Sequence, residues 1–123
     1  LMAIVYTEGV SKRGLPLERF VAITSTNAAK ILGLYPRKGT IAVGSDADIV
    51  IFDPTARKTL RAADLHKSDY TIWEGWEVHG WPILTMLRGK VAVENGKLKA
   101  RPGDGRRVPR KILPAVQSGP RVV

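Results

Sequence analysis

Between Ile83 and Ala100 the chain holds three β-prone segments, Ile83 to Arg88, Val91 to Glu94 and Lys97 to Ala100, with only two residues between each pair. A connection that short cannot carry a crossover, so strands linked this way must be antiparallel neighbours. The links are Gly89-Lys90 and Asn95-Gly96. Asn-Gly is the dipeptide best suited to a type I′ turn, whose two central residues both need positive φ. Pro82 stands just ahead of the first segment, where a missing N–H is tolerated.

Upstream the pattern has two textures. Leu1, Ile4, Val5 and Glu8 fall at helical spacing, and Gly9 and Gly14 then punctuate the chain. Pro16 suits the first turn of a helix whose apolar face is Leu17, Phe20, Val21 and Thr24. The run Thr24-Ser25-Thr26-Asn27 is rich in capping residues and predicts the start of a further short helix, Ala28 to Leu32, closed by Gly33 in the left-handed conformation. From Gly39 the period changes. Thr40 to Val43 reads as a short strand, and the apolar run Ile49-Val50-Ile51-Phe52, ended by Asp53-Pro54, reads as a strand buried on both faces. Helices followed by a run of strands predict an α+β arrangement or the junction of two domains. After Ala100, prolines at 109, 114 and 120 forbid a long helix.

The length of 123 residues suits one domain, and the absence of cysteine excludes disulfides, thiolate metal sites and cysteine nucleophiles. No apolar run is long enough to span a membrane, and Leu1-Met2-Ala3-Ile4-Val5 lacks the basic prelude of a secretory signal, so a cytoplasmic location is expected. The net charge of +9 is uneven. Residues 1–100 hold 14 Lys/Arg against 10 Asp/Glu, whereas residues 101–123 hold Arg101, Arg106, Arg107, Arg110, Lys111 and Arg121 against Asp104 alone. A basic tail can engage phosphates or an acidic protein surface, but this one has no aromatic residue for base stacking. No nucleic-acid partner is expected.

Catalytic signals are few. His66 and His79 belong to no H-x-H or H-E-x-x-H spacing. Glu77 and His79 would share one strand face as a carboxylate–imidazole pair, more often a structural arrangement than a metal site. Asp46, Asp48 and Asp53 lack a calcium-loop pattern and read better, for Asp46 and Asp48, as turn caps. None of Ser11, Ser25, Ser45, Ser68 and Ser118 sits in a nucleophile elbow, and no phosphate loop or dinucleotide fingerprint occurs. Trp73, Trp76 and Trp81 could stack on a ring-shaped ligand, although such clusters more often pack on a core or a subunit partner. These residues supply no catalytic, cofactor-binding or metal-binding site.

The order of motifs nevertheless resembles a known family. Gly39-Thr40-Ile41-Ala42-Val43-Gly44-Ser45-Asp46-Ala47-Asp48-Ile49-Val50 is similar to the G-x-I-x-x-G-x-x-A-D-[IL]-V segment of the amidohydrolase superfamily. Leu17 to Val21 with Ser25 to Lys30, Gly33 to Gly39, and Glu74 to Pro82 resemble the C-terminal part of the D-hydantoinase/dihydropyrimidinase family. Gly105 to Lys111 resembles that family's basic tail, and Ala28 stands where many relatives have proline.

The resemblance implies an α+β piece of a larger enzyme. Residues 1–38 would be the last helical elements of a metal-dependent (β/α)8 barrel, residues 39–100 the C-terminal strands of a composite β-sandwich, and residues 101–123 a basic tail reaching toward a neighbouring subunit. Such enzymes hydrolyse cyclic amides with two divalent metals, usually zinc, and a carboxylated lysine, all on barrel strands upstream of the stretch matched by Leu1. His66 and His79 match none of those ligands. The chain, which begins within a helical pattern, would be a C-terminal segment, inert alone. Its partners would be the missing barrel and sandwich strands, other subunits of a homo-oligomer and, for the parent, a small cyclic amide or imide. Two alternatives stay open: a non-catalytic dihydropyrimidinase-like interaction module, and a basic nucleic-acid-binding domain supported by charge alone.

Overall fold

A computed structural model describes residues 1–64 and 69–117. Helix α1 (Met2–Val5) continues into a π-helical stretch, Tyr6–Ser11; α2 (Leu17–Val21) continues through a second, Ala22–Thr26, into α3 (Asn27–Ile31). The strands are β1 (Val50–Thr59), β2 (Glu77–Leu87), β3 (Lys90–Glu94) and β4 (Lys97–Leu98), and a single turn, α4 (Pro114–Gln117), follows the sheet. The four strands form an antiparallel sheet in the order β1-β2-β3-β4. The architecture is α+β.

The helices differ from the sequence expectation at two points. Gly9 lies inside the first helix and does not interrupt it; Gly14 ends that run. Thr24 to Asn27 do not cap a new helix, because the chain stays helical from Leu17 to Ile31. Each π-helical stretch contains a threonine whose hydroxyl donates to the carbonyl four residues back, Thr7 to Ala3 at 2.7 Å and Thr24 to Phe20 at 2.8 Å. A hydroxyl that occupies this acceptor competes with the α-helical ladder and favours a local change of winding. The end of α3 is as expected. Gly33 has φ +69°, with its N–H on the Lys30 carbonyl and the Leu34 N–H on the Ala29 carbonyl, which is the paired bonding of a Schellman cap.

The sheet also departs from expectation. Thr40 to Val43 form no strand, and Ile41 and Val43 are exposed. Asp53-Pro54 does not end β1; the strand passes through it with a register shift between Asp53 and Arg57. Pro82 is inside β2, opposite Phe52, at another register shift. Such irregularities let an extra residue or a missing N–H fit an antiparallel ladder. Both two-residue turns are present, but the first is Arg88-Gly89 (φ 49° and 78°), one residue earlier than expected; the second is Asn95-Gly96 (φ 48° and 76°).

The core is small. Ala3 and Ile4 of α1 pack with Leu60 and Val78, flanked by Trp73 and Trp81. Beside it, Tyr6, Phe20 and Phe52 form an aromatic trio with ring centroids 4.9 to 6.1 Å apart. Gly80 is buried at the trio's edge, with φ +77°. Of the expected apolar face of α2, Phe20 alone is buried, while Leu17 and Val21 are exposed. Val50 and Ile51 of β1 are exposed as well, so the strand expected to be covered on both faces is not covered here. β1 is an edge strand.

Candidate functional site

The first candidate was the Glu77/His79 pair on β2. His79 lies opposite Arg57 and Glu77 opposite Thr59. The His79 imidazole meets the Ser11 hydroxyl instead, Nδ1 to Oγ at 3.2 Å. Its backbone is tied to the first helix: the His79 N–H donates to Thr7 Oγ1 at 2.8 Å, and that hydroxyl lies 3.1 Å from the His79 carbonyl. Thr7 is almost fully buried, so this contact clamps helix to sheet where no water competes. No local signal marks Thr7, because a threonine in a helical run gives no hint of a partner 72 residues away.

The tryptophans separate. Trp73 and Trp76 meet edge to face at 4.7 Å, whereas the Trp81 ring lies under the Lys58 ammonium at 4.4 Å. Lys58 also pairs with Asp64 at 3.0 Å, and this hydrogen bond holds the Asp64 carboxyl below its ordinary range. Trp73 and Trp81 pack on the core, so the three rings make no common platform. His66 and Ser68 lie outside the described residues, as do Ser118 and Arg121.

The acidic residues have structural partners. Arg37 and Lys38 both meet Asp46, at 3.0 and 2.9 Å, and Lys38 also pairs with Asp48. The Lys38 hydrogen bond, opposed by partial burial and helped by Arg37, lowers the Asp46 pKa. Burial pulls Lys38 down, but hydrogen bonds to Asp48 and Asp46 outweigh it and raise its pKa. The other Asp48 oxygen accepts the Arg88 N–H at 2.9 Å, and the Ala47 carbonyl accepts the Gly89 N–H at 2.9 Å. The Ala47-Asp48 pair thus holds the β2–β3 turn, 40 residues on in the chain. The side chain of Asp46, expected to cap its turn, pairs with Arg37 and Lys38, and Asp48 reaches across to a turn the sequence did not connect with it. Asp53 accepts the Thr55 hydroxyl at 2.7 Å and the Thr55 N–H at 2.8 Å, which lower its pKa.

Among the described residues no three His, Cys, Asp or Glu side chains converge as a metal site needs. These residues do not fit a two-metal centre. The tail is not free along its whole length: the Lys111 N–H donates to the Gly33 carbonyl at 2.8 Å, so the chain crosses the cap of α3. No helix among the described residues is long and apolar enough to cross a membrane.

The helical layer is held to the antiparallel meander by a buried hydroxyl and an aromatic trio, and Asp46, Asp48 and Asp53 are engaged in loops and turns. The model of the amidohydrolase family matches residues 1–92, and the chain belongs to that family. It is 48% identical over 111 residues to the dihydropyrimidinase of Rattus norvegicus, a match covering 89% of this chain and 21% of that protein. It is 43% identical over 116 residues to dihydropyrimidinase-related protein 5 of Mus musculus, covering 94% and 21%. The solved D-hydantoinase (dihydropyrimidinase) from Thermus sp. superposes with a TM-score of 0.81 at 48% identity, over 85% of this chain and 23% of that one. The chain spans about a fifth of the length of the curated relatives it matches, 21% for the rat protein.

Proposed function

We propose that this chain is the C-terminal part of a cyclic-amide hydrolase of the hydantoinase/dihydropyrimidinase type, which opens hydantoin or dihydropyrimidine rings. In this reading residues 1–38 are the last helical elements of the (β/α)8 barrel, residues 39–100 the C-terminal share of the composite sandwich, and residues 101–123 a basic tail. The segment serves as scaffold and subunit interface and is inert by itself. Two divalent ions, zinc in this proposal, and a carboxylated lysine that supply the activated water belong to residues outside these 123. The parent would be cytoplasmic and homo-oligomeric, with no nucleic-acid or membrane partner.

The observation that carries the reading is the 48% identity with the Thermus D-hydantoinase over 85% of this chain. The small core supports it too. The open edge of β1 and the exposed Val50, Ile51, Ile41 and Val43 are what a sheet completed by further strands would leave. The second reading, a non-catalytic interaction module, is favoured by the 43% identity to dihydropyrimidinase-related protein 5.

The test is immunocapture from the source cells with an antibody against residues 39–100, followed by mass measurement and assays with hydantoin and dihydrouracil. A captured polypeptide several times heavier than 13.5 kDa that opens either ring is the expected result. A heavy polypeptide without turnover refutes the catalytic reading in favour of the module. A 13.5 kDa species alone refutes the parent.

A further inference from the structure

A concavity of about 400 Å³ lies between the β2–β3 hairpin and the loop that follows β4. Arg88 and Lys90 enter it from the hairpin, Arg106 and Asp104 from the loop. Asp104 is the one carboxylate in its lining, and its Oδ2 is already engaged by the Arg101 N–H at 2.7 Å. The Arg88 guanidinium donates through one terminal nitrogen to the Asp104 carbonyl, which anchors the side chain and leaves its other donors available. Lys90 and Arg106 have no ion-pair partner among the described residues.

This breaks a pattern kept elsewhere. Elsewhere among the described residues neighbouring bases pair directly with acids, Lys12 and Arg13 with Glu8, and Arg37 and Lys38 with Asp46 and Asp48. Three basic residues line the concavity against the single carboxylate of Asp104, and an incoming anion offsets that excess of positive charge. Arginine forks are suited to the tetrahedral oxygens of phosphate, and an anchored fork loses less freedom on binding than a free one. The Gly103 side of the rim carries no side chain. No aromatic ring lines the walls, so a nucleobase finds nothing to stack on.

The geometry points to a site for a small phosphate-class dianion, held by Arg88, Lys90 and Arg106. The probe is inorganic phosphate, titrated into the 15N-labelled 123-residue chain at constant ionic strength, with pyrophosphate and citrate as parallel arms. Saturable shifts of the Arg88, Gly103 and Arg106 amides are expected, with a Kd on the order of 1 mM or tighter. Arg106→Gln and Lys90→Gln should each weaken phosphate about ten-fold, as loss of a charge-assisted hydrogen bond implies. Arg19→Gln, which removes a cation on α2, should leave the Kd unchanged. Non-saturating shifts, equal weakening by Arg19→Gln, or full affinity in both Arg106→Gln and Lys90→Gln overturn the site. Citrate binding tighter than pyrophosphate overturns the assignment to phosphate chemistry.

Discussion

Replacing Gly80 by alanine tests how the helical layer is seated on the sheet. Gly80 has φ +77°, and a Cβ built there would lie 2.5 Å from Phe52 Cζ and 2.9 Å from Tyr6 Cδ1. Two costs follow. An alanine held in the left-handed region costs about 1–2 kcal/mol. Forcing a methyl group into a packed aromatic contact costs about 1–3 kcal/mol more. The sum, about 2–5 kcal/mol, is a large part of the roughly 5–15 kcal/mol that holds a domain folded. With a urea m-value of about 2 kcal/mol/M, the unfolding midpoint should fall by about 1 to 2.5 M. Gly14→Ala separates the two costs, because Gly14 has φ +67° but nothing within 4 Å of its Cβ. It should show the backbone cost alone. Adding Phe52→Leu to Gly80→Ala should cost less than the two single changes summed, since the leucine vacates the clashing position. Equal midpoints for Gly80→Ala and Gly14→Ala would show that Tyr6 and Phe52 are not packed over Gly80, and the seating described here would be wrong.

Thr7→Val should destabilise the chain by about 1–3 kcal/mol by leaving the part-buried His79 N–H without its acceptor, whereas Thr7→Ser should cost less; chemical denaturation of the two variants compares them. Stability should also depend on pH at both extremes. The folded pKa of Asp46 is lowered, so its contribution is present above the unfolded value near 3.8 and is lost as pH falls through the folded one. Lys38 is raised, so its contribution is complete below 10.5 and is lost as pH rises through the folded value. Thermal melts from pH 2 to 12 should show both declines, and Lys38→Met should shrink rather than abolish the alkaline one, since Lys12, Lys58 and Lys99 are also ion-paired. Finally, the open β1 edge should make the 123-residue chain associate as concentration rises, read by sedimentation velocity. A monodisperse monomer at every concentration would count against a sheet completed by other strands.

Some of this protein was legible in the sequence because it is decided within a few residues. Asn95-Gly96 takes a type I′ turn because its two residues tolerate positive φ, and Gly33 closes α3 because glycine enters the left-handed region without penalty. The family resemblance was legible because it rests on short contiguous motifs, Gly39 to Val50 among them. What depends on distant partners was not. Asp53-Pro54 looks like a strand terminus, yet β2 supplies a partner with a compensating register shift, and β1 continues. Thr24 to Asn27 look like a cap, but their neighbours sustain helix on both sides, and Thr26 instead donates to the Gly39 carbonyl at 2.8 Å. Asp48 is a turn residue in its own segment and the anchor of another turn in space. Thr7 and the concavity at Arg88 and Arg106 have no sequence signature, because their geometry is made by elements that meet after folding. Local backbone preference determined the hairpin turns and the cap of α3; which side chains share a buried hydrogen bond or line one concavity was decided by tertiary contact.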